Sequence, residues 1–262
     1  MQPQISIITV TMNHLHLLKQ MLDSLFYKYP PKVSFELIIV DNCSTDNTKE
    51  YIIKNFPNVN YIENDQVAGF AENNNKGVKF AKGEYILILN PDIIVLENSI
   101  DILYEYLSNN NEAGIVAPQL LNLDLSIQHS MRKFITPGIL FARLSTKGKD
   151  NSKNKKVTEY LMSNICINQP TEVDWCMGAA LLFKKSFYDK LNGFDEKFFL
   201  YVEDMDICHR CWKTGKSVVY LPESKMIHAH QRSSRKFNKK TIMHIKSMMY
   251  FFRKNKFKIT RN

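Results

Sequence analysis

Tyr85-Ile86-Leu87-Ile88-Leu89-Asn90-Pro91-Asp92 is an apolar run that stops abruptly in turn residues. A short apolar run bounded in this way reads as a buried strand, here with a carboxylate, Asp92, just past its carboxyl end. Working upstream, Ala71 to Ala81 has helical spacing and Val59 to Glu63 is a short strand. Thr45 or Asp46 can cap a helix running to Phe56, and Phe35 to Val40 is another strand. His14 to Tyr27 sets Leu15, Leu18, Leu22 and Leu25 on one helical face, and Ile5 to Thr11 reads as a further buried strand. Strands alternating with helices at this spacing predict βαβ units around a mostly parallel sheet, the Rossmann-like α/β class.

In such sheets chemistry gathers at the carboxyl ends of the strands. Three polar clusters fall there: Thr11-Met12-Asn13, Asp41-Asn42-Cys43-Ser44-Thr45-Asp46 and Asn90-Pro91-Asp92. One alone could be turn chemistry; three in register predict a site. Downstream, the periodicity weakens from about Gln119 to Glu172, and Lys147 to Lys156 reads as a polar, basic, mobile loop. Order returns with an apolar strand from Val173 to Phe183 that carries Gly178. A Gly193-Phe194-Asp195 turn follows, then a polar helix from about Val202 to Thr214 and a short strand from Ser217 to Leu221. A second acidic cluster, Glu203-Asp204-x-Asp206, lies on that helix.

With 262 residues and 44% hydrophobic content the chain can bury a full core. No apolar run approaches the roughly 18 residues that a membrane span needs. The chain enters its first strand without a basic leader or a cleavage site, so no signal peptide is expected. Five scattered cysteines make no disulfide framework and suit a reduced, cytoplasmic setting. The net charge of +9 sits at the end of the chain, where Lys225 to Asn262 contains Lys and Arg but no Asp or Glu. Within that tail Ile242, Ile245, Met248, Met249 and Phe252 recur at helical spacing among Lys239, Lys240, Lys246, Arg253 and Lys254. Such a helix can lie on an anionic leaflet, or pack on the domain with a basic outer face.

The sequence has no Gly-x-Gly-x-x-Gly after the first strand, no Gly-Lys-Ser/Thr loop and no Gly-x-Ser-x-Gly elbow. Those absences remove the main support for a dinucleotide dehydrogenase, a P-loop NTPase and an α/β hydrolase. A strand-end carboxylate such as Asp92 suits Mg²⁺ or Mn²⁺ bridging substrate phosphates, and His228 could add a nitrogen that Mn²⁺ tolerates better. Equally, Asp92 can be a turn residue and His228 a hydrogen-bonded core histidine. Glu203 and Asp204 follow Phe198-Phe199-Leu200-Tyr201-Val202. Aromatic walls and a like charge raise a carboxylate pKa, as a general base needs, although acidic residues at a helix start are also stabilised by the macrodipole. Cys208-x-x-Cys211 lacks a second pair, and buried cysteine fits it better than zinc.

Several stretches together resemble a known family. ISIITVTMN (5–13), VDNCSTD (40–46), GFAENNNKG (69–77) and LILNPD (87–92) are similar to the donor half of inverting family 2 glycosyltransferases with a GT-A fold. VDWCMGAALLF (173–183), GFDEKFFLYVEDMDICHR (193–210) and PESKMIH (222–228) are similar to the acceptor half. The combination most resembles bacterial rhamnosyltransferases that build O-antigen, capsule and other surface polysaccharides. The likeness implies a catalytic domain over 1–230, with a donor half to about 118 and an acceptor half from about 119, followed by a helical basic tail over 231–262. Val10, Thr11, Met12 and Asp41 would then line the nucleobase pocket, with Asn74, Asn75, Asn90 and Asp92 on the donor. Asp92 and His228 would hold the metal. Asp204 would be the catalytic base with Glu203 supporting it, and Trp175, Gly178 and Glu203 would border the acceptor. Asn90 stands where the family's acidic motif usually has a carboxylate. Asn74 and Asn75 can also be read as ordinary polar residues at a helix start.

The function implied is transfer of L-rhamnose, with inversion, from dTDP-rhamnose to a polyprenyl-linked saccharide. The enzyme would be peripheral on the inner face of the cell membrane, held by its basic tail. The alternatives are a UDP-sugar or other hexosyl donor, or a module that binds nucleotide or glycan without turnover. Nothing accompanies the basic tail that would make it a nucleic-acid reader, and the sequence leaves the oligomeric state open.

Overall fold

A computed structural model describes residues 2–146, 154–229 and 239–261. Most of the expected basic loop, 147–153, lies outside the described residues. The first half alternates as the sequence predicts: β1 (Ile5–Thr11), α1 (Leu15–Asp23), β2 (Phe35–Asp41), α2 (Thr48–Asn55), β3 (Asn60–Glu63), α3 (Phe70–Val78) and β4 (Tyr85–Leu89). A π-helical turn, Ser24–Lys28, prolongs α1. Then come β5 (Ile93–Val95), α4 (Ser99–Asn109), β6 (Ala113–Leu121), β7 (Met131–Arg132), α5 (Pro137–Ser145) and α6 (Lys155–Tyr160). The chain ends through β8 (Thr171–Glu172), β9 (Trp175–Cys176), β10 (Ala180–Lys184), α7 (Lys185–Lys190), α8 (Glu203–Lys213), β11 (Ser217–His228) and α9 (Lys239–Lys254).

The main sheet runs β3-β2-β1-β4-β10-β6-β11-β5, with β8 also on β11. It is parallel from β3 to β4 and between β6 and β11, while β10 runs antiparallel to both of its neighbours. Strand period two divides the core. Ile8, Ile38, Ile86, Ile88, Leu181 and Phe183 face one way with residues of α8 and α9. Ile5, Ile7, Ile39, Leu87, Leu89 and Leu182 face the other, with Leu18, Leu22, Leu103 and Leu107 of α1 and α4. Both faces being covered explains why these strands read as near-continuous apolar runs.

Three local outcomes differ from the sequence reading. Neither Thr45 nor Asp46 caps α2, which starts after Asn47 in the left-handed region at φ 58°. Asp46 accepts instead from the Leu15 amide (2.9 Å) and the Thr48 hydroxyl (2.6 Å), so it satisfies an orphan donor of α1. The single strand expected over Val173–Phe183 breaks around Met177-Gly178 into β9 and β10, which pair with different neighbours. The last strand continues to His228 because its register slips between Leu221 and Lys225, where Pro222 offers no N–H to the ladder.

The tail helix packs on the domain. Met248, Phe251 and Phe252 are buried. Lys254 Nζ lies 2.7 Å from both Asp195 and the fully buried Asp206, which also pairs with Arg210 at 2.7 Å. Ile242, Ile245 and Met249 remain exposed. Cys208 and Cys211 are buried and free, and burial pushes the Cys211 thiol up to about 12, as for an inert core residue.

Candidate active site

The register brings the sequence clusters to one edge. Thr11 lies opposite Asp41, and the Asn42 amide continues the ladder to Thr11 O at 2.8 Å. Because β10 is antiparallel, its amino end meets the carboxyl end of β4, and Asn90 N–H donates to Ala179 O at 2.9 Å. The extended β11 sets His228 opposite Ile93, and Ala229 N–H donates to Asp92 O at 2.9 Å. Residues far apart in sequence thus converge: Asn90 and Asp92, Gly178, and His228.

At the nucleotide end Val10 and Thr11 close β1, and Met12 beyond them is exposed. Asp41 is buried, accepting from Ser44 N–H at 2.8 Å and from the Tyr61 hydroxyl in a short hydrogen bond. Burial and the Asp41 carboxylate hold the Tyr61 phenol protonated. Sequence reasoning missed Tyr61, although strand alternation puts it on β3 two residues from Glu63, the residue opposite Asp41. Asn42 holds the following loop by accepting from Ala68 N–H (2.8 Å) and donating to Ala68 O (3.0 Å), and Asn73 donates to Gly69 O at 2.9 Å. Asn74 is buried and gives its amide to Phe70 O at 2.8 Å. Asn75 donates to Phe194 O and Glu196 and accepts from Phe194 N–H and Tyr188 OH, so its amide is engaged by the 193–196 turn and by α7.

On the other side, Asp204 Oδ2 accepts from Gly178 N–H at 2.9 Å and Oδ1 from Met205 N–H at 2.8 Å. A Cβ on Gly178 would stand 3.1 Å from Asp204 Cβ, tighter than an ordinary contact, so a side chain there would press on the carboxylate. Tyr201 (φ 70°) and Val202 (φ 75°) lead into α8 in the left-handed region, where a β-branched residue is strained by about 1–3 kcal/mol. That entry aims the two carboxylates. Glu203 is buried, and its Oε2 has no hydrogen-bond partner among the described residues. Burial and the adjacent Asp204 charge push Glu203 well above the ordinary glutamate value. Burial also raises Asp204, but the Gly178 and Met205 amides and the Arg132 charge oppose it. Both carboxyls are thus raised, Glu203 the further of the two, and Asp204 is the more acidic member of the pair.

Trp175 is buried, donating from Nε1 to Lys133 O at 2.8 Å, with the Arg132 guanidinium 5.2 Å over its ring. Arg132 was not singled out from sequence. It sits on a two-residue strand in the stretch without periodicity, and only its pairing with Trp175 reveals it. A cavity of about 920 Å³ opens between Ser34, Glu36, Lys82, Glu84 and Lys185, and none of the candidate site residues lines it.

The donor set can be tested against a metal. His228 Nε2 and Asp92 Oδ1 lie 3.4 Å apart, and His228 Nδ1 is 2.7 Å from Gln128 Oε1. One imidazole nitrogen and one carboxylate suit Mn²⁺ or Mg²⁺. No group of three His, Cys, Asp or Glu gathers among the described residues, so substrate phosphate and water would complete the shell. The residues fit such an ion.

The profile described as glycosyl transferase family 2 matches residues 6–169, more than half of the chain. The chain belongs to glycosyl transferase family 2. As a member of that family it is a glycosyltransferase, and residues 166–232 also match the profile described as the N-terminal domain of galactosyltransferase. Rhamnosyltransferase WbbL of Escherichia coli is 29% identical over 98% of this chain and 95% of its own. The N-acetylglucosaminyl-diphospho-decaprenol L-rhamnosyltransferase of Mycobacterium tuberculosis is 27% identical over 76% of this chain and 67% of its own. Among solved structures, GalNAc-T7 with UDP, GalNAc and Mn²⁺ superposes with a TM-score of 0.66 at 18% identity, covering 88% of this chain and 44% of that one. The mannosyltransferase PcManGT from Pyrobaculum calidifontis, with GDP-Man and Mn²⁺, gives 0.59 at 18% identity, over 90% and 59%. The chain thus spans less than two thirds of either solved structure, and these likenesses establish the GT-A fold.

Proposed function

We propose that this family 2 enzyme transfers L-rhamnose from dTDP-rhamnose, with inversion, to a polyprenyl-linked saccharide used in surface polysaccharide synthesis. The observation that carries the reading is one sheet edge shared by the Asp92–His228 pair and Gly178, whose amide holds the Asp204 carboxylate. The near full-length similarity to a named rhamnosyltransferase supports the sugar, and the name of the mycobacterial relative supports a lipid diphosphate acceptor.

Asp41 and Thr11 would receive the base, with Met12 beside it. Asp92 and His228 would hold a divalent ion, which offsets charge on the departing nucleoside diphosphate. Asp204 takes the proton from the acceptor hydroxyl as that oxygen attacks the anomeric carbon and the diphosphate leaves from the opposite face. Glu203, raised further than Asp204, is the supporting carboxyl beside it. Arg132, over Trp175 and close enough to lower the Asp204 pKa, steers the anionic acceptor.

The division into a catalytic unit over 1–230 and a tail over 231–262 belongs to this proposal, as does attachment of the tail to an anionic membrane. No helix among the described residues is long and apolar enough to cross one. The test is donor hydrolysis across dTDP-rhamnose, UDP-glucose, UDP-galactose and GDP-mannose with Mn²⁺. Preference for dTDP-rhamnose is expected, and faster turnover of a UDP-sugar overturns the donor assignment.

A further inference from the structure

The loop between β6 and β7 contains a chain of side-chain hydrogen bonds whose direction is fixed at its outer end. Asp124 Oδ1 accepts from the Ser126 hydroxyl at 2.5 Å and from the Ser126 amide at 3.0 Å. These bonds hold the Asp124 carboxyl below the usual aspartate range, so it acts as an acceptor only. The Ser126 hydroxyl proton is therefore committed outward, and its oxygen accepts from Asn122 Nδ2 at 2.9 Å. The other end of that amide, Asn122 Oδ1, accepts from Gln128 Nε2 at 3.0 Å. Gln128 Nε2 also reaches the carbonyl of His228 at 3.4 Å, which turns Oε1 toward the imidazole.

Gln128 Oε1 meets His228 Nδ1 at 2.7 Å, with both residues buried. An amide oxygen can only accept, so the proton of the neutral ring is on Nδ1 and the lone pair is on Nε2. That lone pair faces Asp92 Oδ1 across 3.4 Å. The distance exceeds the ordinary N–H···O range of about 2.7–3.2 Å. Two ligands about 2.1 Å from one small cation and at right angles to each other lie about 3 Å apart.

We propose that Gln128, oriented through Asn122, Ser126 and Asp124, is a positioning residue that fixes the His228 tautomer so that Nε2 and Asp92 present one nitrogen and one oxygen to a divalent cation. The inference rests on the reading of Asp92 and His228 as cation ligands. It adds a device outside the ligands that the sequence did not indicate, since Gln128 lies in the stretch where periodicity fails. Outer partners of this kind typically change metal affinity 10–100-fold when removed.

The test uses the full chain, first freed of metal with a chelator. Long-range ¹H–¹⁵N NMR, assigned through His228→Gln, should show His228 protonated on Nδ1. Mn²⁺ titration with dTDP present, followed by electron paramagnetic resonance, then compares variants whose melting curves match the parent. Gln128→Met keeps the length and removes the acceptor; it should lose the Nδ1–H signature and weaken Mn²⁺ about 10–100-fold. Gln128→Glu keeps an acceptor for the ring while losing the donor to Asn122 Oδ1, and should retain the Nδ1–H signature. An Nε2–H ring in the parent, or Gln128→Met with unchanged Mn²⁺ affinity, overturns the proposal. Parent binding is measured first, so a parent that takes no Mn²⁺ even with dTDP overturns the cation reading itself, and the two failures are told apart.

Discussion

Asp204 and Glu203 differ by one position and are hydrogen-bonded differently. Asp204 takes two backbone N–H bonds, whereas Glu203 Oε2 takes none among the described residues. Removing the base function with Asp204→Asn should lower transfer about 10²–10⁴-fold with donor affinity nearly unchanged. Glu203→Gln should cost far less. Comparing kcat and dTDP-rhamnose affinity in both variants checks this, and an inactive Glu203→Gln beside a near-normal Asp204→Asn would reverse the roles. The same pair sets a stability trend. The folded-state pKa of Glu203 is raised, so its contribution is fully present at low pH and is lost as pH rises above the ordinary glutamate value. Glu203→Gln should therefore stabilise the protein relative to the parent, and by more at pH 8 than at pH 5. Melting temperatures at those two values test the sign. The identity of this acidic pair was legible in the sequence. Their division of labour was not, because it depends on the Gly178 amide 26 positions away.

At the scale of elements, β1, β2 and β4 were legible because burial on both faces leaves near-continuous apolar runs. The reversal of β10 was not, since an apolar run carries no direction, and the break at Gly178 was hidden inside one. The full reach of β11 was hidden by Pro222 and the register slip, which kept His228 beyond the end of the predicted strand. Asn75 shows the limit differently: its position on α3 was legible, but the bonds of its amide to the 193–196 turn and to Tyr188 were not. Among helices, α9 is tied by Lys254 to Asp195 and to Asp206, which is fully buried. Lys254→Met should cost about 1.5–3 kcal/mol, the usual worth of hydrogen bonds to charged groups, with Arg210 left on Asp206. A denaturant titration should show a lower midpoint with an unchanged slope. A changed slope would mean that α9 detaches as a separate unit.

At the scale of the whole molecule, charge and shape meet on the tail. Its 225–262 stretch carries no acidic residue, which could be read directly from the sequence. Of the two sequence readings of the helix, packing is the one the fold shows, because α9 buries Met248, Phe251 and Phe252; Ile242, Ile245 and Met249 stay exposed, and membrane attachment remains the proposal to be tested. A packed helix with an outer apolar stripe among basic residues can bind a membrane without leaving the domain. Each Lys or Arg close to an anionic surface contributes about 1 kcal/mol, screened within a Debye length of about 8 Å at physiological salt. Co-sedimentation with vesicles containing anionic lipid should therefore fall as salt rises. It should fall further in the Lys246→Gln/Arg253→Gln double variant, and Ile245→Ser/Met249→Ser should weaken the portion that survives high salt. Those four side chains are exposed and make none of the Lys254 ion pairs, so the melting temperature should hold while binding drops. Equal recovery on neutral and anionic vesicles would leave α9 with only its packing role.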